Sequence, residues 1–221
     1  KLMYGLINHI RNLLFDKGVL KTLSHDTVVI SVGNLKAGGT GKTPFVEYLL
    51  RLLASSYNIA VISRGYGRKT KGYRLVDPQG RAEDFGDEPL QMAKKFPNVL
   101  FAVCESRNKA IEIIEAEYPD INLVLLDDAY QHRYTARDFN ILLTEYNRPF
   151  FKDRVLPFGL LREYRQGYKR ADCIVVTKCP PLEERERKDF AEKLKALPDQ
   201  RIFFSEIHYR LPYLLNDESR K

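Results

Sequence analysis

The sequence predicts an α/β protein: a mostly parallel sheet with helices on both faces. Three observations carry this. Short β-branched or apolar runs alternate along the chain with amphipathic runs of helical period. The strand-like runs are apolar at nearly every position, as in strands covered on both sides. A glycine-rich loop sits between the first such run and the helix after it.

Each element has its own local reason. Residues 1–17, KLMYGLINHIRNLLFDK, place Met3, Leu6, Ile7, Ile10, Leu13 and Leu14 at helical spacing, with Arg11, Lys17 and Lys21 supplying positive charge. That pattern suits either a helix packed on its own domain or a basic amphipathic helix on a membrane surface. TVVISVGN (Thr27 to Asn34) is a buried strand, followed by the glycine loop. FVEYLLRLLASS is a helix with Pro44 in its first turn, where proline is tolerated. NIAVISRGYG is strand then loop, and GYRLVDPQGR suggests a short hairpin around Asp77–Gly80.

A helix is expected from near Asp87, a strand at NVLFAVC, and a helix opening at Ser106. INLVLLDDAYQH is a strand ending in paired aspartates; FNILLTEY and ADCIVVTK are further strands. LEERERKDFAEKLKAL is a charged amphipathic helix and RIFFSEIHYRL a last strand. Asn147 to Arg170 is the longest stretch without clear periodicity, a property that often marks function.

Composition narrows the function classes. The 221 residues suffice for one sizeable α/β domain, or for a domain with a small appendage. No run approaches the roughly 20 apolar residues of a spanning helix. The net charge of +7 points to a polyanionic partner: nucleic acid, an anionic membrane or a phosphorylated substrate. Nucleic acid is disfavoured, because there is no helicase-like motif series and no aromatic-basic stacking platform. Cys104, Cys173 and Cys179 form no CxxC pair, so buried reduced thiols in a cytoplasmic protein are expected, not a zinc site.

The loop LKAGGTGKTP carries the most chemistry. It departs from G-x-x-x-x-G-K-[ST] only in having Lys36 for the first glycine. Between strand and helix, Lys36, Ala37, Gly38, Gly39, Thr40, Gly41, Lys42 and Thr43 are expected to bind nucleotide. Glycines let successive N–H groups face phosphate oxygens, Lys42 reaches the β and γ phosphates, and the Thr43 hydroxyl suits Mg²⁺. Asp127 and Asp128, ending an apolar strand, are the other candidate Mg²⁺ ligands; the sequence does not assign them separately. The fold expected is thus P-loop NTPase-like. Its nucleotide should be ATP: the late strand ends in TKCP, Thr177 to Pro180, with proline where a guanine-reading carboxylate would stand.

Five motifs in order, SVGNLKAGGTGKTP, SRGYGRK, GDEP, DDAYQHR and LPFGLLRE, together with RNLLFDKG, closely resemble the tetraacyldisaccharide 4′-kinases of Gram-negative bacteria. The resemblance runs from about residue 4 to about residue 209. It implies ATP-dependent phosphorylation of the 4′-hydroxyl of an acylated disaccharide 1-phosphate in lipid A biosynthesis. It also implies a monomer on the cytoplasmic face of the inner membrane, with residues 1–22 as the membrane-surface helix and 23–200 as the kinase domain. Residues 201–221 would lead toward a smaller second domain.

Carried over by motif, Lys42, Asp87 and Asp128 are the catalytic candidates, with Asp87 the base, although an aspartate there also suits a helix N-cap. Asp127 and Asp128 match the family's DDGFQH, with Ala129 and Tyr130 for its Gly and Phe. Arg64, Glu88, Gln131, His132 and Arg162 are the substrate-binding candidates; Glu163 shares a motif with Arg162. Arg68 is another possible phosphate contact, whereas Lys69 and Lys71 are expected to be surface charge. Family members continue past the equivalent of residue 221, into a segment whose histidine pairs with the catalytic aspartate. None of His9, His25, His132 and His208 lies in that motif, so the chain is expected to be part of a longer protein with a trimmed start. The competing readings are a nucleotide-driven switch or metallochaperone, which should show Cys or His clusters, and a fragment that binds nucleotide and lipid without turnover.

Overall fold

The computed structural model of the protein describes residues 3–207. His208 and the end of the RIFFSEIHYRL run lie outside the described residues.

A sheet of eight strands forms the centre, in the order β3-β4-β2-β5-β1-β6-β7-β8. The strands are β1 (Val28–Asn34), β2 (Ile59–Ser63), β3 (Arg74–Leu75), β4 (Leu100–Val103), β5 (Leu123–Asp127), β6 (Phe139–Glu145), β7 (Cys173–Thr177) and β8 (Arg201–Phe204). All pairings are parallel except β3 with β4. β1 lies between β5 and β6, with Val32 opposite Asp127 on one side and Ile141 on the other. The carboxyl ends of the central strands therefore open on one edge, the usual ligand edge of such sheets.

The helices are α1 (Met3–Asp16), α2 (Lys42–Leu53), α3 (Ala82–Phe85), α4 (Asp87–Lys95), α5 (Arg107–Glu117) and α6 (Glu184–Leu194). Alternate residues of each strand feed opposite cores. Leu123 and Leu125 join Leu50 and Met92 on one face, whereas Val124 and Leu126 join Ile111 and Ile114 on the other. A third cluster, around Leu142, Ile174 and Phe190, lies under α6. Ser106 caps α5 by accepting from the Lys109 N–H, as expected from the sequence.

Two expectations are corrected. Asp77–Gly80 is a turn, closed by the Gly80 N–H on the Asp77 carbonyl, but no second strand follows it. The chain enters α3 instead, and β3 finds its partner in β4, so the hairpin does not form. Secondly, RIFF, expected to lead away from the domain, is the edge strand of the same sheet.

The third difference concerns α1. It docks through Asn8, Arg11, Asn12 and Phe15, a stripe of helical period that is polar in three of its four members. The Asn8 amide donates to the Arg162 carbonyl, the Arg11 guanidinium to the Gln131 carbonyl and the Asn12 amide to Glu163. The apolar stripe points away: Ile7, Ile10 and Leu13 are 56, 49 and 41% exposed.

Candidate active site

The site is assembled at the carboxyl ends of β1, β2, β5, β6 and β7. β1 runs into the glycine loop, which turns through Gly41 (φ 83°) into α2. That left-handed geometry suits a residue without a Cβ. The first turn of α2 has no carbonyls four residues back to satisfy its N–H groups, so they point outward with the positive end of the helix dipole.

The loop is braced from several sides. The Asn34 amide, at the end of β1, donates to the Thr40 hydroxyl at 2.6 Å. Thr177, at the end of β7, donates to the Thr40 carbonyl at 2.9 Å. The next residue, Lys178, donates to the Gly39 carbonyl at 2.6 Å and to Glu145 at 2.6 Å. Glu145 also holds the Lys36 ammonium at 3.4 Å. Burial alone would raise the Glu145 carboxyl, but the bonds from Lys178 and then Lys36 hold it below the usual range.

Lys36, at the first-glycine position, is only 6% exposed, and its backbone bridges to Leu161. The Ala37 N–H is taken by the Leu160 carbonyl at 2.7 Å. Lys36 and Ala37 thus anchor the loop, while Gly38 to Thr43 form its open part. Glu145→Gln should release both lysines and weaken binding of a non-hydrolysable ATP analogue about tenfold, the cost of losing one charged hydrogen bond. Calorimetric titration beside the unaltered protein checks this.

Opposite the loop stands the DDAYQH turn. It can approach because residue 33 is glycine: a Cβ there would meet the Tyr130 nitrogen at 2.8 Å. Asp128 adopts a left-handed φ of 48°, uncommon for a residue with a Cβ and often found at functional sites. Its carboxylate accepts two bonds from Arg162 Nη1, at 2.9 and 3.0 Å, and lies 3.6 Å from the Lys42 ammonium. Gln131 donates to the Asn34 carbonyl and to Glu163.

Asp127 is buried, and its Oδ1 has no hydrogen-bond partner. Burial first, then Asp128 and Glu88, push its carboxyl up to about 7, against the opposing pull of Lys42 and Arg107. An orphaned buried carboxylate oxygen within electrostatic reach of Lys42 fits a cation. Among the described residues no group of three or more His, Cys, Asp or Glu forms a complete metal cage. Mg²⁺ here would therefore take further oxygens from nucleotide phosphates and water.

The raised value has a consequence for stability. Between the ordinary carboxyl range and about 7, the unfolded chain ionises Asp127 while the folded chain keeps it protonated. The folded form then binds more protons, so stability falls as pH rises through that window. In metal-free buffer Asp127→Asn should raise Tm more at pH 8 than at pH 5, as thermal melts would show.

Asp87 is the first residue of α4 and is exposed; the cap is Gly86, and no side chain caps the helix. The N-cap alternative for Asp87 is thereby overturned. Its carboxylate has no hydrogen-bond or ion-pair partner among the described residues. Gly86 packs against the loop after β2, where an added Cβ would meet the Tyr66 carbonyl at 3.0 Å. This contact brings GDEP and SRGYG together and places Glu88 near enough to Asp127 to act on it.

Arg64 is exposed on that loop, within electrostatic reach of His132 and Arg107. His132 is held neutral at pH 7: burial, then the guanidinium groups of Arg107, Arg137, Arg11 and Arg64, lower it to about 4. Arg68 is not free for phosphate, since it donates to the Gly72 carbonyl and to Glu105. Lys69 pairs with Glu83, as surface charge does.

Several roles were not foreseen from the sequence, among them that of Glu163, which was marked only by its motif. Glu163 is 1% exposed and receives Arg170, Gln131 and Asn12. Arg107 is buried beneath the aspartates and donates to the Cys104 carbonyl. Nothing local in SRNKAI marks that arginine as internal. Glu145 was only the last residue of a strand, although TKCP hinted that Lys178 lies by the nucleotide.

A parallel sheet, a braced glycine loop entering a helix, and a carboxylate pair on the adjacent strand together define a P-loop nucleotide-binding protein. The match goes further. The family model described as tetraacyldisaccharide-1-P 4′-kinase matches residues 1–210, and the chain belongs to that family. It is 49% identical over 218 residues to the tetraacyldisaccharide 4′-kinase of Flavobacterium johnsoniae, covering 98% of this chain and 64% of that one. It is 52% identical over 180 residues to the enzyme of that name from Cytophaga hutchinsonii, covering 81 and 51%. Among solved structures, LpxK from Aquifex aeolicus in complex with ATP superposes with a TM-score of 0.74 at 31% identity, covering 94% of this chain and 80% of that one. The chain spans 51 to 64% of the length of these two curated relatives.

Proposed function

We propose that the chain is the nucleotide-binding part of an ATP-dependent kinase that phosphorylates the 4′-hydroxyl of a tetraacyldisaccharide 1-phosphate. The observation that carries the reading is the facing pair of loop and turn: Lys42 and Asp128 are 3.6 Å apart, with Asp127 orphaned beside them. The N–H groups of Gly38 to Thr43 and the Lys42 ammonium would hold the triphosphate. Mg²⁺, held by the Thr43 hydroxyl and the two aspartates, would offset charge on the transferring phosphoryl group.

Asp87, unpaired at the rim, is suited to take the proton of the attacking hydroxyl. Arg64, Arg162, Glu88, Gln131 and neutral His132 surround the space for the sugar. Arg162 also orients Asp128, so it serves both sides. ATP is favoured over GTP because Lys178 and Thr177 support the loop while Pro180 stands where a guanine-reading carboxylate would be.

The outward stripe of α1 supports a membrane-surface role. The helix itself packs on the segment that exposes Phe158, which is 72% accessible: a Cβ added at Gly5 would meet Val155 at 2.8 Å. Among the described residues no helix is long and apolar enough to cross a membrane. A helix docked by its polar face can rest its apolar face in the headgroup boundary, where an acylated acceptor keeps its chains. Residues 1–22 are accordingly the surface element, and the kinase body runs from residue 23 through β8 at Phe204.

A kinase and a nucleotide-driven switch differ in what triggers ADP release. The full-length protein should release ADP from Mg-ATP only when the disaccharide acceptor is added in detergent. Release at the same rate without acceptor would favour the switch.

A further inference from the structure

The sheet has a second concave feature, at the end opposite the glycine loop. A cavity of about 260 Å³ is lined by Arg133, Arg137 and Arg170, with Thr22, Ala136 and Asp172 among its other walls. Thr22 precedes β1, Ala136 precedes β6 and Asp172 immediately precedes β7. These are the amino ends of parallel strands, whereas the candidate active site lies at their carboxyl ends. The two features adjoin through the DDAYQH turn, since Arg137 donates to the His132 carbonyl and Arg170 to Glu163.

The three cations are unequally compensated. Arg133 pairs with Asp16 at 2.7 Å, and Arg170 with Glu163 at 2.7 Å. Arg137 has no ion pair among the described residues; its Nη2 donates to the His132 carbonyl at 2.7 Å. The one acid in the wall, Asp172, is already engaged by the Asn140 N–H at 2.7 Å. The Nη1 groups of Arg137 and Arg170 form no hydrogen bond, yet they are not among the sealed polar atoms. Burial, then Arg170 and Arg133, lower the Arg137 guanidinium to about 10, against the opposing pull of Tyr130 and Glu163. Largely buried guanidinium groups normally sit in paired, hydrogen-bonded surroundings. Three guanidinium groups lining one accessible cavity, one of them without an ion pair among the described residues, suit an anion.

We propose that this cavity is a second anion site, one that takes a phosphate ester. Arginine forks match phosphate oxygens in geometry and charge. The cavity is roomier than bare phosphate needs, leaving space for a small esterified group. Leu23, next to Thr22 in the chain, is an exposed apolar residue. The phosphate can therefore belong to a soluble ester or to a phospholipid headgroup presented at the surface on which α1 would rest.

The test uses the full-length protein with its glycine loop saturated by a non-hydrolysable Mg-ATP analogue. Glycerol 3-phosphate is titrated by calorimetry, and flotation is measured on phosphatidylcholine vesicles with and without phosphatidic acid. Arg137→Gln should weaken whichever probe binds by at least about tenfold. Because that variant also loses a bond to the His132 carbonyl, Ala136→Glu is tested beside it. This places a carboxylate in the cavity, and should abolish binding while leaving Tm unchanged or raised. Binding of glycerol 3-phosphate identifies a soluble ester; a gain on phosphatidic acid vesicles alone identifies a headgroup. The inference is overturned if neither probe binds beyond the nucleotide, or if Ala136→Glu folds and binds as the unaltered protein does.

Discussion

Lys42→Ala should reduce phosphoryl transfer by the full-length protein about a thousandfold, the scale of losing a preorganised group aimed at developing charge. Lys42 opens α2, with its ammonium 3.6 Å from Asp128 at the mouth of the loop. Neither Lys36 nor Lys178 can replace it: Lys36 is bound to Glu145, and Lys178 to Glu145 and Gly39. The fold should survive, because Asp128 keeps both bonds from Arg162. Steady-state kinetics beside a thermal melt would separate the two effects. The loss should fall on kcat as well as on ATP affinity, since the same ammonium would hold the γ-phosphate before and during transfer.

Asp87→Ala should lower kcat by 10²- to 10⁴-fold, the usual contribution of a positioned base, while leaving binding of the ATP analogue intact. The prediction rests on where Asp87 sits. It is exposed at the start of α4, and capping is left to Gly86, so its removal costs the helix only a favourable charge near its N-terminus. Its carboxylate has no partner among the described residues. A merely structural role would appear as a lower Tm and weaker nucleotide binding; a base shows neither. Asp87→Asn should match Asp87→Ala in kcat, because the amide keeps the shape and cannot accept the proton.

The central architecture was legible because its signals are local. A β-branched run, three glycines, GKT and an amphipathic helix can form only a few structures, and β1, the loop and α2 follow. The pair Asp127 and Asp128 was visible as the polar end of an apolar strand. Their division of labour was not, because it depends on what surrounds them: Arg162 and Lys42 reach Asp128, while burial and Glu88 act on Asp127. The orientation of α1 was equally hidden. Its hydrophobic period is correct, but the docking face is chosen by hydrogen bonds from Asn8, Arg11 and Asn12 to residues 120 to 154 positions away. Lys36 seemed a tolerated lapse in a glycine pattern. In the fold it is one half of a clamp on Glu145, a partner 109 residues distant. The missing hairpin failed for the same reason, since the strand pairing of β3 is decided by β4 rather than by the turn beside it.

The most direct test is transfer of labelled γ-phosphate from ATP to a tetraacyldisaccharide 1-phosphate in detergent, using the full-length protein with Mg²⁺. The reading of the site predicts one labelled product, phosphorylated at the 4′-hydroxyl, formed only with both ATP and acceptor and lost in Lys42→Ala. A full-length protein that binds Mg-ATP tightly, hydrolyses it, and leaves the disaccharide unlabelled would contradict it.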